Sequence, residues 1–224
     1  MIDSRSRLTV RWLGTVAYES TLDSMRAFTE RRDETTPSEV WLVEHPSVFT
    51  LGQAGRREHV IDPGLIPVCP SDRGGQVTYH GPGQLVMYVL LDLRAFGVGV
   101  KWLVTTLEQV VIDYLAARGV DGQRRSGAPG VYVADAKVAA LGLRVRRGCS
   151  YHGLAVNASM DLEPFGRIDP CGYRGLAVTQ LLDQGIQTDI EPLGRALADS
   201  LAQYLRQHQP VPIGGEPSRD GMPP

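Results

Sequence analysis

Seven consecutive apolar residues, Leu85-Val-Met-Tyr-Val-Leu-Leu91, constrain the fold of this 224-residue chain more than any other feature. An apolar run of that length, bounded by turn residues, reads as a buried strand. It follows Asp72-Arg73-Gly74-Gly75-Gln76-Val77-Thr78-Tyr79-His80-Gly81-Pro82-Gly83-Gln84, a polar stretch holding four glycines. Glycine lets backbone approach a ligand closely or adopt positive φ without penalty. Such a loop running into a buried strand either presents a ligand-lined wall or is a hairpin loop with ordinary turn chemistry.

Apolar residues at helical spacing predict helices over 18–31 (Tyr18, Leu22, Met25, Phe28), 100–118 (Val100, Leu103, Val104, Leu107, Val110, Val111, Tyr114, Leu115) and 190–205 (Ile190, Leu193, Leu197, Leu201, Tyr204, Leu205). Strand-like segments fall at 40–44, 48–51, 76–79, 85–93, 130–134, 137–146 and 151–157. Strands in runs with helices gathered apart predict an α+β fold, helices packed against a mixed sheet. Regular βαβ alternation is missing, and Gly81-Pro-Gly83 precedes a strand rather than a helix. A dinucleotide-binding loop therefore fits poorly, and there is no Walker loop.

The length suits one large domain, expected over 1–209, followed by a mobile Pro/Gly-rich tail over 210–224. Seven apolar residues fall far short of the roughly 18 that suggest a membrane span. The first twelve residues lack the apolar core of a secretory signal. Cys69, Cys149 and Cys171 are odd in number and have no CxxC spacing, against a disulfide framework or a zinc site. A reducing cytoplasm is the expected location. A net charge of −2 does not recommend nucleic acid. The local clusters Arg56-Arg57, Arg124-Arg125 and Arg144, Arg146, Arg147 either protect an exposed strand edge or meet an acidic partner.

Cys171 lies between Pro170 and Gly172 in Arg167-Ile-Asp-Pro-Cys-Gly-Tyr173, which predicts a sharply turned loop. That is a poor place to bury a thiol for packing and a good place to expose one in a cleft. Cys69 and Cys149 read as small buried residues. An unperturbed thiol is only a few per cent thiolate at neutral pH, and a nearby cation raises that fraction. His80, His152 and Lys137 are the available helpers. Each histidine is either a satisfied core residue or a substrate hydrogen bond, since no third residue stands at metal-ligand spacing. Lys137 opens a small-residue, largely apolar strand and is either a solvated strand-end lysine or a functional one. Gly142 and Gly153 predict close approach by a ligand or by another backbone.

Taken in order, Val43-Glu-His-Pro-Ser-Val-Phe-Thr-Leu-Gly52, Asp72 to Leu93, Gly127-Ala-Pro-Gly-Val-Tyr-Val133, Lys137 to Arg147, Gly148-Cys-Ser-Tyr-His-Gly-Leu-Ala-Val-Asn157 and Asp169-Pro-Cys-Gly-Tyr173 resemble the bacterial octanoyltransferases of lipoate biosynthesis. The resemblance implies an α+β fold related to the catalytic modules of biotin and lipoate protein ligases. It implies transfer of octanoyl from octanoyl-acyl carrier protein to a lysine on the lipoyl domains of 2-oxoacid dehydrogenases and the glycine cleavage H protein. No cofactor or metal is implied, and nucleic acid and membrane are not among the partners. The nucleophile falls on Cys171 and its partner on Lys137. Substrate contacts fall on Arg73, Gly74, Gly75, Gln76, Val77, Thr78, Tyr79 and His80, on Ala140, Leu141 and Gly142, and on Gly153, Leu154 and Ala155. Ala140 departs from relatives that carry serine there, which removes one side-chain hydrogen bond while sparing backbone contacts. An ATP-dependent lipoate ligase shares the implied fold but needs no cysteine nucleophile. A non-catalytic lipoyl- or acyl-binding module would not need the Cys171 and Lys137 pair.

Overall fold

Alternation along the buried run explains the layering. The computed structural model describes residues 7–169 and 176–208, and in it residues Gln84–Leu90 form strand β6 once β1 to β5 are numbered in chain order: Leu8–Thr15, Ser38–Glu44, Val48–Leu51, Val68–Pro70 and Val77–His80. Every residue of β6 is buried. Leu85, Met87 and Val89 enter one apolar cluster, while Val86, Tyr88 and Leu90 enter another on the opposite face. Burial on both faces removes the polar half of the usual strand pattern, leaving a continuous apolar run.

The first cluster lies beneath helices α2 (Val100–Ala116) and α3 (Ile190–His208), which bring Leu103, Leu107, Val111, Leu193, Leu197 and Leu201 against it. The second lies beneath α1 (Tyr18–Arg31), which contributes Tyr18, Leu22 and Met25. Three further strands, β7 (Gly130–Val133), β8 (Ala136–Arg146) and β9 (Cys149–Asn157), complete a six-stranded sheet of order β1-β2-β6-β9-β8-β7. Only β1 and β2 run parallel in it; the other pairs are antiparallel, so the sheet is mixed. A second sheet, β4-β3-β5, has its own small core of Phe49, Val77, Tyr79, Met160 and Ile168. The expected α+β class and all three helices are present.

Sequence reasoning missed β1 and β4. In β1 the signal was available: burial alternates strictly along Leu8–Thr15, with Leu8, Val10 and Trp12 packed on the core. The expected tail over 210–224 lies outside the described residues. No described helix is long and apolar enough to cross a membrane.

The arginine clusters resolve differently. Arg56 meets Glu58, Arg124 meets Glu108 and Gln109, and Arg125 meets Asp135. Arg144 and Arg146 stand where the ladder between β7 and β8 has ended, since it runs only to Ala140. They therefore border an open strand edge, and Arg146 pairs with Glu30 at 2.6 Å.

Candidate functional site

A β-bulge places Lys137. Val131 pairs with Ala139 and Tyr132 with Lys137, leaving Val138 as the extra residue of β8. Val138 and Ala139 both enter the core beneath α2. The bulge thereby turns Lys137 onto the face that carries Ala140 and Gly142, a re-aiming for which bulges are suited. Lys137 Nζ donates to the Pro129 carbonyl at 3.3 Å and lies 5.2 Å from the Tyr132 ring centroid. A side chain at Gly130 would crowd this stem, with its Cβ 3.1 Å from Lys137 Cε. The lysine backbone is fixed on the other side: its N–H donates to Ala177 O at 2.8 Å and its carbonyl accepts from Thr179 N at 3.0 Å. Cys171, the expected nucleophile, lies outside the described residues. The two described cysteines are poor thiolates. Burial, with a hydrogen bond to Glu19, pushes Cys69 up to about 11, and burial pushes Cys149 up as well.

The glycine-rich loop is a seam between the two sheets. On one side Gln53 N donates to Arg73 O and Gly52 N to Gln76 O. On the other, Gly74 N donates to Leu143 O at 3.0 Å, at the open edge of β8. The glycine at 142 serves this crossing, because a Cβ there would lie 2.8 Å from Gly74 O. Gly153 admits the β6 backbone, where a Cβ would lie 2.0 Å from Met87 O. In both cases the close neighbour is backbone. Ala140 and Ala155 flank one rung of the β8–β9 ladder on the α1 side, whereas Leu141 and Leu154 pack toward α2.

Arg73 is buried at the centre of the seam, and burial lowers its pKa. Its guanidinium donates to Thr50 Oγ1 and O, Gly74 O and Gln76 O, all neutral acceptors. Replacing Arg73 by methionine keeps bulk but removes the guanidinium's bonds to Thr50 O, Gly74 O and Gln76 O, of which Gln76 O keeps the Gly52 N–H as a partner. Each stranded buried acceptor costs roughly 1–3 kcal/mol, so thermal denaturation is expected to show a loss of about 4 kcal/mol and a midpoint lower by about 8–16 °C. A fall of under 2 °C contradicts this role for the guanidinium.

His80 belongs to a buried polar chain. Asn157 Nδ2 donates to Thr179 O, Gln84 Nε2 to Asn157 Oδ1, and His80 Nδ1 to Gln84 Oε1. The chain fixes the tautomer of His80 and ends on Thr179, whose own N–H donates to Lys137 O. Burial, with the nearby His45, holds His80 down to about 3, so it stays neutral. Beside it, His45 Nδ1 donates to Val16 O and Nε2 accepts from Tyr88 Oη, while Tyr18 stacks on His80 with centroids 5.9 Å apart. Sequence reasoning gave no role to His45, Tyr18, Tyr88, Gln84 or Asn157. Gln84 and Asn157 carried a usable signal, since each is a polar residue bounding an apolar strand.

His152 departs from strand geometry with φ +59°. Strand neighbours normally face opposite ways, yet Tyr151 and His152 stack with centroids 5.0 Å apart. Both reach one carboxylate: Tyr151 Oη donates to Asp72 Oδ2 at 2.7 Å and His152 Nε2 to Asp72 Oδ1 at 2.8 Å. Arg26 from α1 adds a third bond at 3.2 Å. Partial burial favours the neutral acid, but these hydrogen bonds outweigh it and hold Asp72 below the usual carboxylate range. Burial lowers the His152 pKa against the pull of Asp72. The backbone strain costs about 1–3 kcal/mol. The buried Nδ1, unpartnered among the described residues, adds a similar amount.

The fold and this arrangement define a class. A family model described as the lipoyl protein ligase A/B catalytic domain matches residues 17–202. Within that class the chain belongs to the octanoyltransferase family, and it is an acyltransferase. It is 61% identical over 198 residues to the octanoyltransferase of Thiobacillus denitrificans, covering 88% of this chain and 91% of the relative. It is also 61% identical to that of Alkalilimnicola ehrlichii, covering 84% and 88%. Among solved structures, the bipartite lipoate protein ligase of Thermoplasma acidophilum superposes with a TM-score of 0.72 at 17% identity, over 89% of this chain and 85% of that one. The biotin protein ligase of Aquifex aeolicus reaches 0.57 at 12% identity, over 90% and 72%. At those identities the likeness is one of fold.

Proposed function

We propose that this chain moves octanoyl, in the cytoplasm, from octanoyl-acyl carrier protein to the lysine amine of lipoyl domains, including those of 2-oxoacid dehydrogenase complexes and the glycine cleavage H protein. Cys171 is the nucleophile and Lys137 its partner. The identity to octanoyltransferases supports the reaction. One observation carries the choice of lysine: Lys137 shares a backbone ladder with residues 177–179, which begin four positions after the end of the Asp169-Pro-Cys-Gly-Tyr173 motif. The raised thiols of Cys69 and Cys149 support Cys171 as the remaining candidate.

The Cys171 thiolate, beside the Lys137 ammonium, attacks the thioester carbonyl. Collapse of the tetrahedral intermediate expels the carrier thiol, which takes the lysine proton. The acceptor amine then attacks the octanoyl-enzyme, gives its proton to the now neutral Lys137, and releases Cys171 as thiolate. The resting pair is restored, and amide formation makes the second half downhill without ATP. The oxyanion needs donors; Gly74 N–H is committed to Leu143 O, and the remaining backbone N–H groups of residues 75–80 and the one near Gly172 are the candidates. Burying about seven acyl carbons at roughly 0.8 kcal/mol each contributes about 5–6 kcal/mol to recognition.

Intact mass after mixing with octanoyl-acyl carrier protein tests this reading. One octanoyl increment is expected, mapping to the Cys171 peptide and lost on adding a lipoyl domain. An adduct on another residue, or transfer that requires ATP, overturns it.

A further inference from the structure

The glycine-rich loop crosses the large sheet at a single rung. Leu143 pairs with His152 across β8 and β9. Gly74 N–H is held by the Leu143 carbonyl, and Asp72, two residues earlier, is held by His152 and Tyr151. Between these two pins, Arg73 packs its guanidinium stem over Gly142, whose missing Cβ would sit 2.8 Å from Gly74 O and 3.4 Å from Arg73 Cδ. At that rung the loop lies against this face of β8, with Gly74 O and the Arg73 stem over Gly142. Short of it, the face carries Ala140 and then Lys137.

The spacing has a consequence. Lys137 and Gly142 are five positions apart with Val138 bulged out of the ladder, so about four strand rises, roughly 13 Å, lie between them. Main chain extends at most ~3.6 Å for every three bonds, so the seven carbon–carbon bonds of an octanoyl chain span about 8 Å by the same measure. The remainder accommodates the reacting atoms at one end and van der Waals contact at the other. From this geometry, and resting on the octanoyl-transfer reading above, we infer that the Arg73–Gly74 crossing is the far wall of the acyl cleft. The Asp72 clamp, closed by His152 and Tyr151, sets the position of that wall and with it the acyl length accepted. Asp72, Tyr151 and His152 are positioning residues. The left-handed backbone at His152 has a purpose in this account: it puts two adjacent rings on one side of the strand, where both reach one carboxylate.

Loosening the clamp is expected to blur chain length more than it slows chemistry. The measurement is kcat/KM for hexanoyl, octanoyl and decanoyl groups presented on acyl carrier protein, for wild type, Asp72→Asn, His152→Gln and Tyr151→Phe, with thermal midpoints recorded alongside. One methylene in an apolar pocket is worth about tenfold or more. The octanoyl-to-decanoyl ratio is expected to fall about tenfold in Asp72→Asn and His152→Gln, through KM rather than kcat, and by less in Tyr151→Phe, which gives up one bond. A role in stability alone would lower the midpoint and scale all three acyl groups together. That pattern, or a ratio unchanged within twofold in active variants, overturns the inference. Tyr151→Phe retains the ring stack and keeps the test decisive if the other two fail to fold. Wild-type enzyme that moves no octanoyl overturns the reading beneath, whereas an active wild type with an unchanged ratio in the variants overturns the wall alone.

Discussion

Enzyme carrying Cys171→Ala is expected to transfer no octanoyl and to take up no octanoyl mass from the carrier protein. Covalent catalysis splits acyl transfer into two easier steps, and without the nucleophile neither occurs on the protein. A loss on the order of 10⁴-fold or more is the expected scale for removing such a group. The other cysteines cannot substitute. Cys69 is held by burial and Glu19 at about 11, and Cys149 is also raised by burial. At neutral pH, Cys69 would be about one part in 10⁴ thiolate, against a few per cent for an unperturbed thiol. Because the variant keeps both of these thiols, residual labelling in it reports their reactivity directly. A Cys171→Ala enzyme that still forms an octanoyl adduct, or still turns over within tenfold of wild type, ends the assignment. Cys171→Ser is expected to be nearly as inactive, since a hydroxyl is far harder to ionise beside the same ammonium.

What the sequence made legible was local. The seven-residue run announced β6 because burial on both faces leaves no polar residue to interrupt it. The stripes of α1, α2 and α3 were equally plain, since each buries one face on a sheet. Pairings between distant segments were not readable. Nothing near residues 48–51 or 77–80 says that they leave the main sheet and join Val68–Pro70. Nor does the alternation of β9 reveal that His152 faces the same way as Tyr151. That orientation is enforced by Asp72, eighty positions earlier. The site shows the same division. Lys137 was legible as an odd lysine on an apolar strand, but its direction is set by a bulge that appears only when β7 is laid beside β8. His80 was legible through its loop. Its fixed tautomer depends on Gln84, Asn157 and Thr179 together, and no spacing rule connects the last two with the first.

Lys137→Arg separates the two duties assigned to Lys137. Arginine keeps the positive charge, so the Cys171 thiolate remains stabilised and the first half-reaction is expected to proceed within about tenfold of wild type. Carrier thiol, with an ordinary pKa near 8.5, can leave as thiolate without a proton donor. The second half differs, because a guanidinium does not release its proton and cannot accept one from the incoming amine. Loss of a general base costs about 10²–10⁴-fold, so the octanoyl-enzyme should accumulate and persist after a lipoyl domain is added. Lys137→Met removes charge and base together, and its expected behaviour is slow acylation to an octanoyl-enzyme that persists just as long. The stem of residue 137 packs beside Gly130 and beneath the Pro129 carbonyl, and both replacements retain that stem, so the contrast between them reports chemistry rather than lost packing. Rapid single-turnover transfer to the lipoyl domain by Lys137→Arg would remove the general base from the mechanism. Equal acylation rates in Lys137→Arg and Lys137→Met would remove the electrostatic role, and the lysine would then be a packing residue beside a nucleophile activated by other groups.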